Sequence, residues 1–430
     1  MASIATPLVA FVVIVLVNNA LSGHGIPDGA FIKDEPQGLS AQTQEAILKA
    51  QTQVQKTPDD SKAVFSLAGL YLQAVRENAD TAFYARIETL LKHLDDVDHG
   101  NADIDFLRGT IAAGRHDFRT ALQVATPLVA EHPAVARYYG LLTDAQVELG
   151  MYDDAIKTLQ KMSDLRPDYS ALTRIAYIRE ITGDNKGAIE VMEDALADAS
   201  GVGENTAWGM AELARLSFGK YRSQAELYEQ SALKAYPDFP AALIGMAKIE
   251  IARGNTDKAT EYADKAVKIL PIPDYVALRG DIEAAAGHAD AAAAYYKLVE
   301  IGYERIAQSG TNVELERARF LTERGLDLKA NLERARAVYA ERPTIYAADV
   351  LAWTLYKNGE FIEAQQYAEK ALSTGSQDAA ILFHAGMINK ELGRTTNAKQ
   401  FFKQAMESNP DFSILEAPML HQAFNESNEA

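Results

Sequence analysis

The residues of this chain best suited to chemistry stand together in His93-Leu-Asp-Asp-Val-Asp-His99. Asp95, Asp96 and Asp98 supply the hard oxygen ligands that a divalent cation takes. The spacing is not that of a calcium loop, because Gly100 falls one place early for D-x-D-x-D-G. A solvated loop between two helical units accounts for the run better. None of the eight His residues stands in an H-x-x-x-H or H-E-x-x-H arrangement. Cysteine is absent, which removes disulfides, thiolate metal sites and a Cys nucleophile. There is no Gly-rich phosphate loop, and Gly201-Val-Gly203 reads as an insertion between elements. Tyr295-Tyr296 has no basic cluster beside it, so it reads as helix-face packing rather than a base-stacking platform. No catalytic residue, cofactor site or metal site is assigned, and the chain reads as a non-enzyme.

Composition narrows the partners. The chain has 48% hydrophobic and 24% charged residues, the balance of a folded protein. Lys plus Arg number 42 against 60 Asp plus Glu, for a formal charge of −18. Binding to nucleic acid depends on cations that neutralise phosphates, so a chain this acidic is not expected to bind it.

The N-terminus has its own pattern. Leu8 to Val17 is an unbroken apolar run of ten residues, followed by Ala20-Leu21-Ser22 with small residues at the two positions a signal peptidase reads. The run is short for a spanning helix, which needs about 20 residues, and no Lys or Arg precedes it. Residues 1–22 are read as a signal peptide or N-terminal membrane anchor, which makes the protein extracytoplasmic with possible membrane association. The alternative is a cytoplasmic protein whose N-terminus is a buried helix. Residues 23–39, with Gly23, Gly25, Pro27, Gly29, Pro36 and Gly38, read as a flexible linker.

The elements that would position a site follow. Ser40 caps a helix running to about Gln55. Pro58-Asp59-Asp60 breaks it, and two more helices, from about Ser61 and from about Asp80 to Leu94, form a diverged first repeat within residues 40–100. From there a marker alanine recurs: Ala121, Ala155, Ala188, Ala225, Ala259, Ala292, Ala330, Ala364 and Ala398, at intervals of 33 to 38 residues. Five places before it stands Gly150, Gly183, Gly254, Gly287, Gly325, Gly359 or Gly393. Twelve places before it is Gly109, Ala176, Ala247, Gly280, Ala318, Ala352 or Gly386. Twelve places after it is Pro133, Pro167, Pro237, Pro271 or Pro410. Each unit is therefore a helix, a glycine turn that allows a left-handed residue, a second helix, and a proline stop. The small residues let the two helices approach closely. One such pair cannot bury its own apolar face, so the units must stack. The two long intervals put insertions near Gly201-Val-Gly203 and from Ile301 to Thr311. Residues 411–430 read as a C-terminal cap and tail, with a short helix from Met419 to Phe424 and a frayed end from Asn425.

These residues resemble the tetratricopeptide repeat family, best in Gly386 to Pro410 and next in Gly280, Ala292 and Tyr296. The resemblance covers residues 101–410. It implies an all-α fold, a right-handed α-solenoid of about nine to ten helix-turn-helix repeats, whose concave groove is lined by the first helix of each unit. Carried over position by position, the groove residues are Tyr346, Asp349, Trp353, Tyr356 and Lys357 in the Ala364 unit. In the Ala398 unit they are Ala380, Phe383, Met387, Lys390 and Glu391. In the Ala330 unit they include Leu315, Arg319, Thr322 and Glu323, and a thinner N-terminal set is Arg137, Asp144, Tyr177 and Glu180. Aromatic area with charged anchors is what a peptide hot spot needs, so Arg319, Tyr346, Asp349, Trp353, Tyr356, Lys357, Phe383, Met387 and Lys390 are the partner-binding candidates. The family's Lys/Asn clamp for a C-terminal carboxylate is absent. The expectation is a protein-interaction scaffold with a protein or peptide partner. The alternatives are a cytosolic adaptor or regulator and a solenoid that binds a small molecule, glycan or metal.

Overall fold

The computed structural model describes residues 26–32, 38–197 and 203–429. The apolar run Leu8 to Val17, residues 23–25 and 33–37 of the expected linker and most of the Gly201 insertion lie outside the described residues. Every regular element described is helical. The early helices are α1 (Ala41–Lys56), α2 (Ser61–Asn78), α3 (Ala82–Val97), α4 (Ala102–Gly114), α5 (Phe118–Glu131), α6 (Ala136–Glu148) and α7 (Tyr152–Leu165). The middle of the chain forms α8 (Tyr169–Ile181), α9 (Asn185–Ala197), α10 (Glu204–Ser217), α11 (Arg222–Ala235), α12 (Pro240–Ala252), α13 (Thr256–Ile269), α14 (Pro273–Ala285) and α15 (Ala289–Gln308). The last are α16 (Glu314–Glu323), α17 (Leu328–Glu341), α18 (Ile345–Lys357), α19 (Phe361–Ala371), α20 (Ala379–Glu391), α21 (Thr395–Ser408) and α22 (Ala417–Glu429).

The repeat signals act where the spacing places them. All seven turn glycines have positive φ, from 66° to 85°, a conformation that costs other residues about 1–2 kcal/mol. In the Ala121 unit the same position is His116, itself left-handed at φ 58°. The small residues permit the helix approach. A Cβ on Gly386 would lie 2.5 Å from the ring of Phe402, and one on Gly280 would lie 2.7 Å from the ring of Tyr296. Polar side chains cap the starts, as where Asp378 accepts from the amides of Ala380 and Ile381. The helices α5, α7, α11, α13 and α21 each end two residues before their proline. Nine pairs, from α4–α5 to α20–α21, build an α-solenoid, and α22 packs on the last pair.

Several local expectations are corrected. Residues 26–32 are not a free tether. Ala30 and Phe31 enter the first core cluster, Tyr71 Oη donates to the Ala30 carbonyl at 2.8 Å, and Gln51 bonds both the amide and the carbonyl of Ile32. The extra residues at Ile301 do not form a loop: they prolong α15 to 20 residues. The C-terminal helix is longer than Met419 to Phe424 and runs through the stretch expected to fray. The His93–His99 run is mostly the last turns of α3 rather than a loop. Its carboxylates are dispersed, with Asp95 on Arg108 and Asp98 on Ser61 and Asn101.

The solenoid closes on itself. The Ile345 amide donates to Tyr152 Oη at 2.9 Å, His116 Nδ1 meets the Asn312 carbonyl at 2.8 Å, Arg342 pairs with Glu148, and Arg222 pairs with Asp411. These partners stand 189 to 196 residues apart, so one superhelical turn takes between five and six repeats and the next turn lies directly on it. Gly150 and Gly183 serve this contact as well as their own turns. A Cβ on Gly150 would collide with the Pro343 carbonyl, and one on Gly183 with the Gly375 carbonyl. Apolar packing continues across the seam, where Val147, Ala155 and Ile181 share a cluster with Ile345, Ala348 and Ile381.

Candidate functional site

Because the second turn lies on the first, the concave surface becomes the wall of an internal chamber. Two cavities of about 380 and 440 Å³ both touch Arg215, Lys248, Tyr346 and Asp378. A third of about 230 Å³ joins them through Arg319, Tyr346 and Asp349. The walls are mostly the first helices of the units, α8, α10, α12, α14, α16, α18 and α20. Solvent reaches inside, since the side chain of Arg319 is 52% exposed and Lys248 is exposed.

The wall is strongly polar. Arg215 of α10 holds Glu180 of α8 through two bonds of 2.6 and 2.7 Å and Glu212 at 2.9 Å. Arg319 of α16 stands 3.9 Å from both Asp274 and Glu323. Enclosure by protein holds the Lys248 ammonium below the ordinary lysine range, against the opposing pull of Asp274. Burial pushes the carboxyl of Glu229 up to about 9, and burial also raises Asp378 and the phenol of Tyr346.

The expected partner-binding residues divide into two groups. Arg319, Tyr346 and Asp349 meet in the chamber wall, together with Tyr177, Glu180, Thr322, Glu323 and Ala380. Trp353 and Phe383 are not available as a docking surface. They are 1% and 0% exposed, inside a cluster with Phe402 and Leu420. The reason is the C-terminal segment, which lies where the sequence suggested an open groove. Phe412 packs 5.7 Å from Phe383, and Trp353 Nε1 donates to Glu416 at 2.7 Å. Around this core, Tyr356 stacks on Trp353 at 4.5 Å, the Lys357 ammonium lies 4.8 Å over the same indole, and Met387 packs against the cluster. Lys390 pairs with Glu426 of α22 at 2.7 Å. Toward the N-terminus, Arg137 pairs with Asp103, and Asp144 takes two bonds from Arg174. These bridges link the first helix of one unit to that of the next.

His384 and Glu416 were missed by sequence reasoning. His384 Nδ1 lies 2.9 Å from Asp349 and its Nε2 lies 3.2 Å from Glu416, with the ring stacked on Trp353 at 4.2 Å. Burial disfavours the charged ring, but Asp349 and then Glu416 outweigh it and carry its pKa up to about 10. Burial likewise opposes the Glu416 carboxylate, yet His384 and Trp353 hold its pKa below the ordinary value. Both ring nitrogens are committed, so this triad locks the C-terminal segment to α18 and α20. No local signal marked Glu416, which follows the last repeat. Arg215, Lys248 and Glu229 were also not named, although they lie on the consecutive helices α10, α12 and α11 and Lys248 stands eleven places before Ala259, the register that Arg319 holds before Ala330. Among the described residues, no group of three or more His, Asp or Glu side chains is arranged to hold a metal ion, and no helix is long and apolar enough to cross a membrane.

Comparison with known proteins follows the same repeat boundaries. Models described as tetratricopeptide repeat match residues 106–169, 213–271, 344–375 and 379–412. The chain is a tetratricopeptide repeat protein. A relative with this repeat, the TPR repeat-containing protein PA4667 of Pseudomonas aeruginosa, is 26% identical over 205 residues. That match covers 47% of this chain and about a third, 34%, of the relative's length. Among solved structures similar to the chain, PilW, a widely conserved type IV pilus biogenesis factor, is 18% identical, with a TM-score of 0.40 over 48% of this chain and 95% of PilW. The human IFIT1 dimer with PPP-AAAA is 14% identical, with a TM-score of 0.47 over 85% of this chain and 87% of IFIT1.

Proposed function

We propose that this tetratricopeptide repeat protein is an interaction scaffold that holds a peptide or an extended segment of a partner protein in its concave chamber. The observation that carries the reading is the convergence of Arg319, Tyr346 and Asp349 on cavities that touch first helices from both superhelical turns. A segment entering there contacts several repeats at once, and side chains rather than backbone set its specificity. The repeats occupy most of the chain, which supports a binding role over a separate catalytic domain. The apolar run Leu8 to Val17 and the small residues Ala20 and Ser22 support an exported or membrane-anchored scaffold working outside the cytoplasm. Mass measurement of the native N-terminus tests the location: a soluble protein that retains Met1 removes it. Affinity capture with wild type and with Arg319→Ala plus Tyr346→Ala tests the site. The reading predicts loss of one partner from a variant that keeps its helicity, and equal recovery contradicts it.

A further inference from the structure

Two carboxyl groups in the chamber each have one buried oxygen that accepts no hydrogen bond among the described residues. Glu229 of α11 is only 4% exposed. Its carboxyl is seated against bare backbone of α12, where a Cβ on Gly245 would collide with Oε1. Among the described residues its Oε2 accepts no hydrogen bond, and the cavity it lines is the one of about 380 Å³. In the adjoining cavity Glu316 is 27% exposed and its Oε1 lies 3.8 Å from His116 Nδ1, while its Oε2 is buried without a donor. A buried acceptor with no donor costs about 1–3 kcal/mol, and an apolar side chain at either position would avoid that cost.

The surroundings say which donor fits. The two large cavities are lined by eleven Asp and Glu side chains, against four Lys and Arg side chains and His384. Arg215, Arg319 and Arg324 each face a carboxylate within 4 Å. An anion entering here meets a large excess of negative charge, whereas a cation finds acceptors already in place.

We propose that the chamber takes up alkylammonium groups, with Glu229 and Glu316 as their acceptors. This rests on the reading of the chamber as the partner site and gives that partner a chemistry: a lysine-bearing segment or a free polyamine. An ammonium brings three donors and no acceptor, which suits an oxygen that has none, and because burial keeps the Glu229 carboxyl protonated to about pH 9 its uptake there displaces that proton. Lys248 lies between the two cavities and opposes the incoming charge, so it limits affinity.

Titration calorimetry on the full chain tests this with three probes: a blocked pentapeptide holding two lysines, the same peptide with norleucine in their place, and spermidine. The lysine peptide is expected to bind and the norleucine peptide to fail. Glu229→Gln and Glu316→Gln, each nearly isosteric, are expected to weaken binding at least tenfold, while Glu261→Gln at an exposed site on α13 leaves it unchanged. Lys248→Met is expected to tighten it. Tighter binding of the peptide than of spermidine assigns the ammonium to a partner segment, and the reverse order assigns it to a small polyamine. Absence of heat from both cations overturns the proposal, and so does equal binding by all three Glu variants, which would reflect only the acidic surface. If cations fail while Arg319→Ala plus Tyr346→Ala still loses a captured partner, the chamber remains the partner site and only the ammonium chemistry is wrong.

Discussion

Trp353 Nε1 donates to Glu416 Oε1 at 2.7 Å across 63 residues of sequence, and both side chains are buried. Glu416 also takes the far nitrogen of His384, whose near nitrogen is on Asp349. The segment after the last repeat is thereby fastened to α18 and α20, while Asp411 fastens it to Arg222 of the opposing turn. Ile414 packs beside a cluster that contains Ala247 and Ile282.

Removing one member of a buried charged pair leaves the others uncompensated, at a cost of about 3–5 kcal/mol. Glu416→Ala is therefore expected to lower the thermal midpoint strongly and to expose Trp353. Trp208 is the only other tryptophan, so a Trp208→Phe background makes Trp353 the sole reporter. A red-shifted emission is expected on Glu416→Ala, and an unchanged spectrum would mean that the segment is held by something else.

Two groups make stability fall as pH rises. The folded-state pKa of Glu229, about 9, lies above its ordinary value of 4.5. Between those values the folded chain keeps a proton that the unfolded chain has released. His384 acts the same way: its contribution is complete below 6.5 and is lost as pH climbs toward 10. The thermal midpoint is expected to fall from pH 6.5 to pH 9. Glu229→Gln should raise stability at pH 8 with little effect at pH 4, and each pH unit in the window corresponds to at most about 1.4 kcal/mol. An equal effect of Glu229→Gln at pH 4 and pH 8 would refute the assignment.

Closure of the two turns can be tested by a glycine pair. Gly183 has φ 85° and a Cβ there strikes the Gly375 carbonyl; Gly393 has φ 70° and nothing within 4 Å. Alanine at either site carries the left-handed cost of about 1–2 kcal/mol, but only Gly183→Ala also separates the turns. Small-angle scattering should show a larger radius of gyration for Gly183→Ala alone. Equal radii would place the seam elsewhere.

The repeat was legible because its signals are local. Gly393 with its left-handed φ and Gly386 against Phe402 act within one unit, and their spacing states their role. The superhelical path was not legible, since it depends on contacts such as Tyr152 with Ile345, made 193 residues apart. That is why Tyr346 could be named for a groove but not seen to share a cavity with Arg215, Glu229 and Lys248 of α10, α11 and α12. Trp353 and Phe383 were misplaced for a related reason. Their positions face the groove in the pattern of the repeat, but Phe412 and Glu416 lie over them, and nothing in D-F-S-I-L-E announces that role.

The central claim is that a partner enters the chamber, and a photo-crosslinker placed in the chain tests it most directly. Benzoylphenylalanine at position 346 in the chamber is compared with the same residue at position 362 on α19, where Ile362 is 76% exposed. The account predicts a discrete partner adduct from position 346 and none from 362. An adduct from 362 with none from 346 would contradict it.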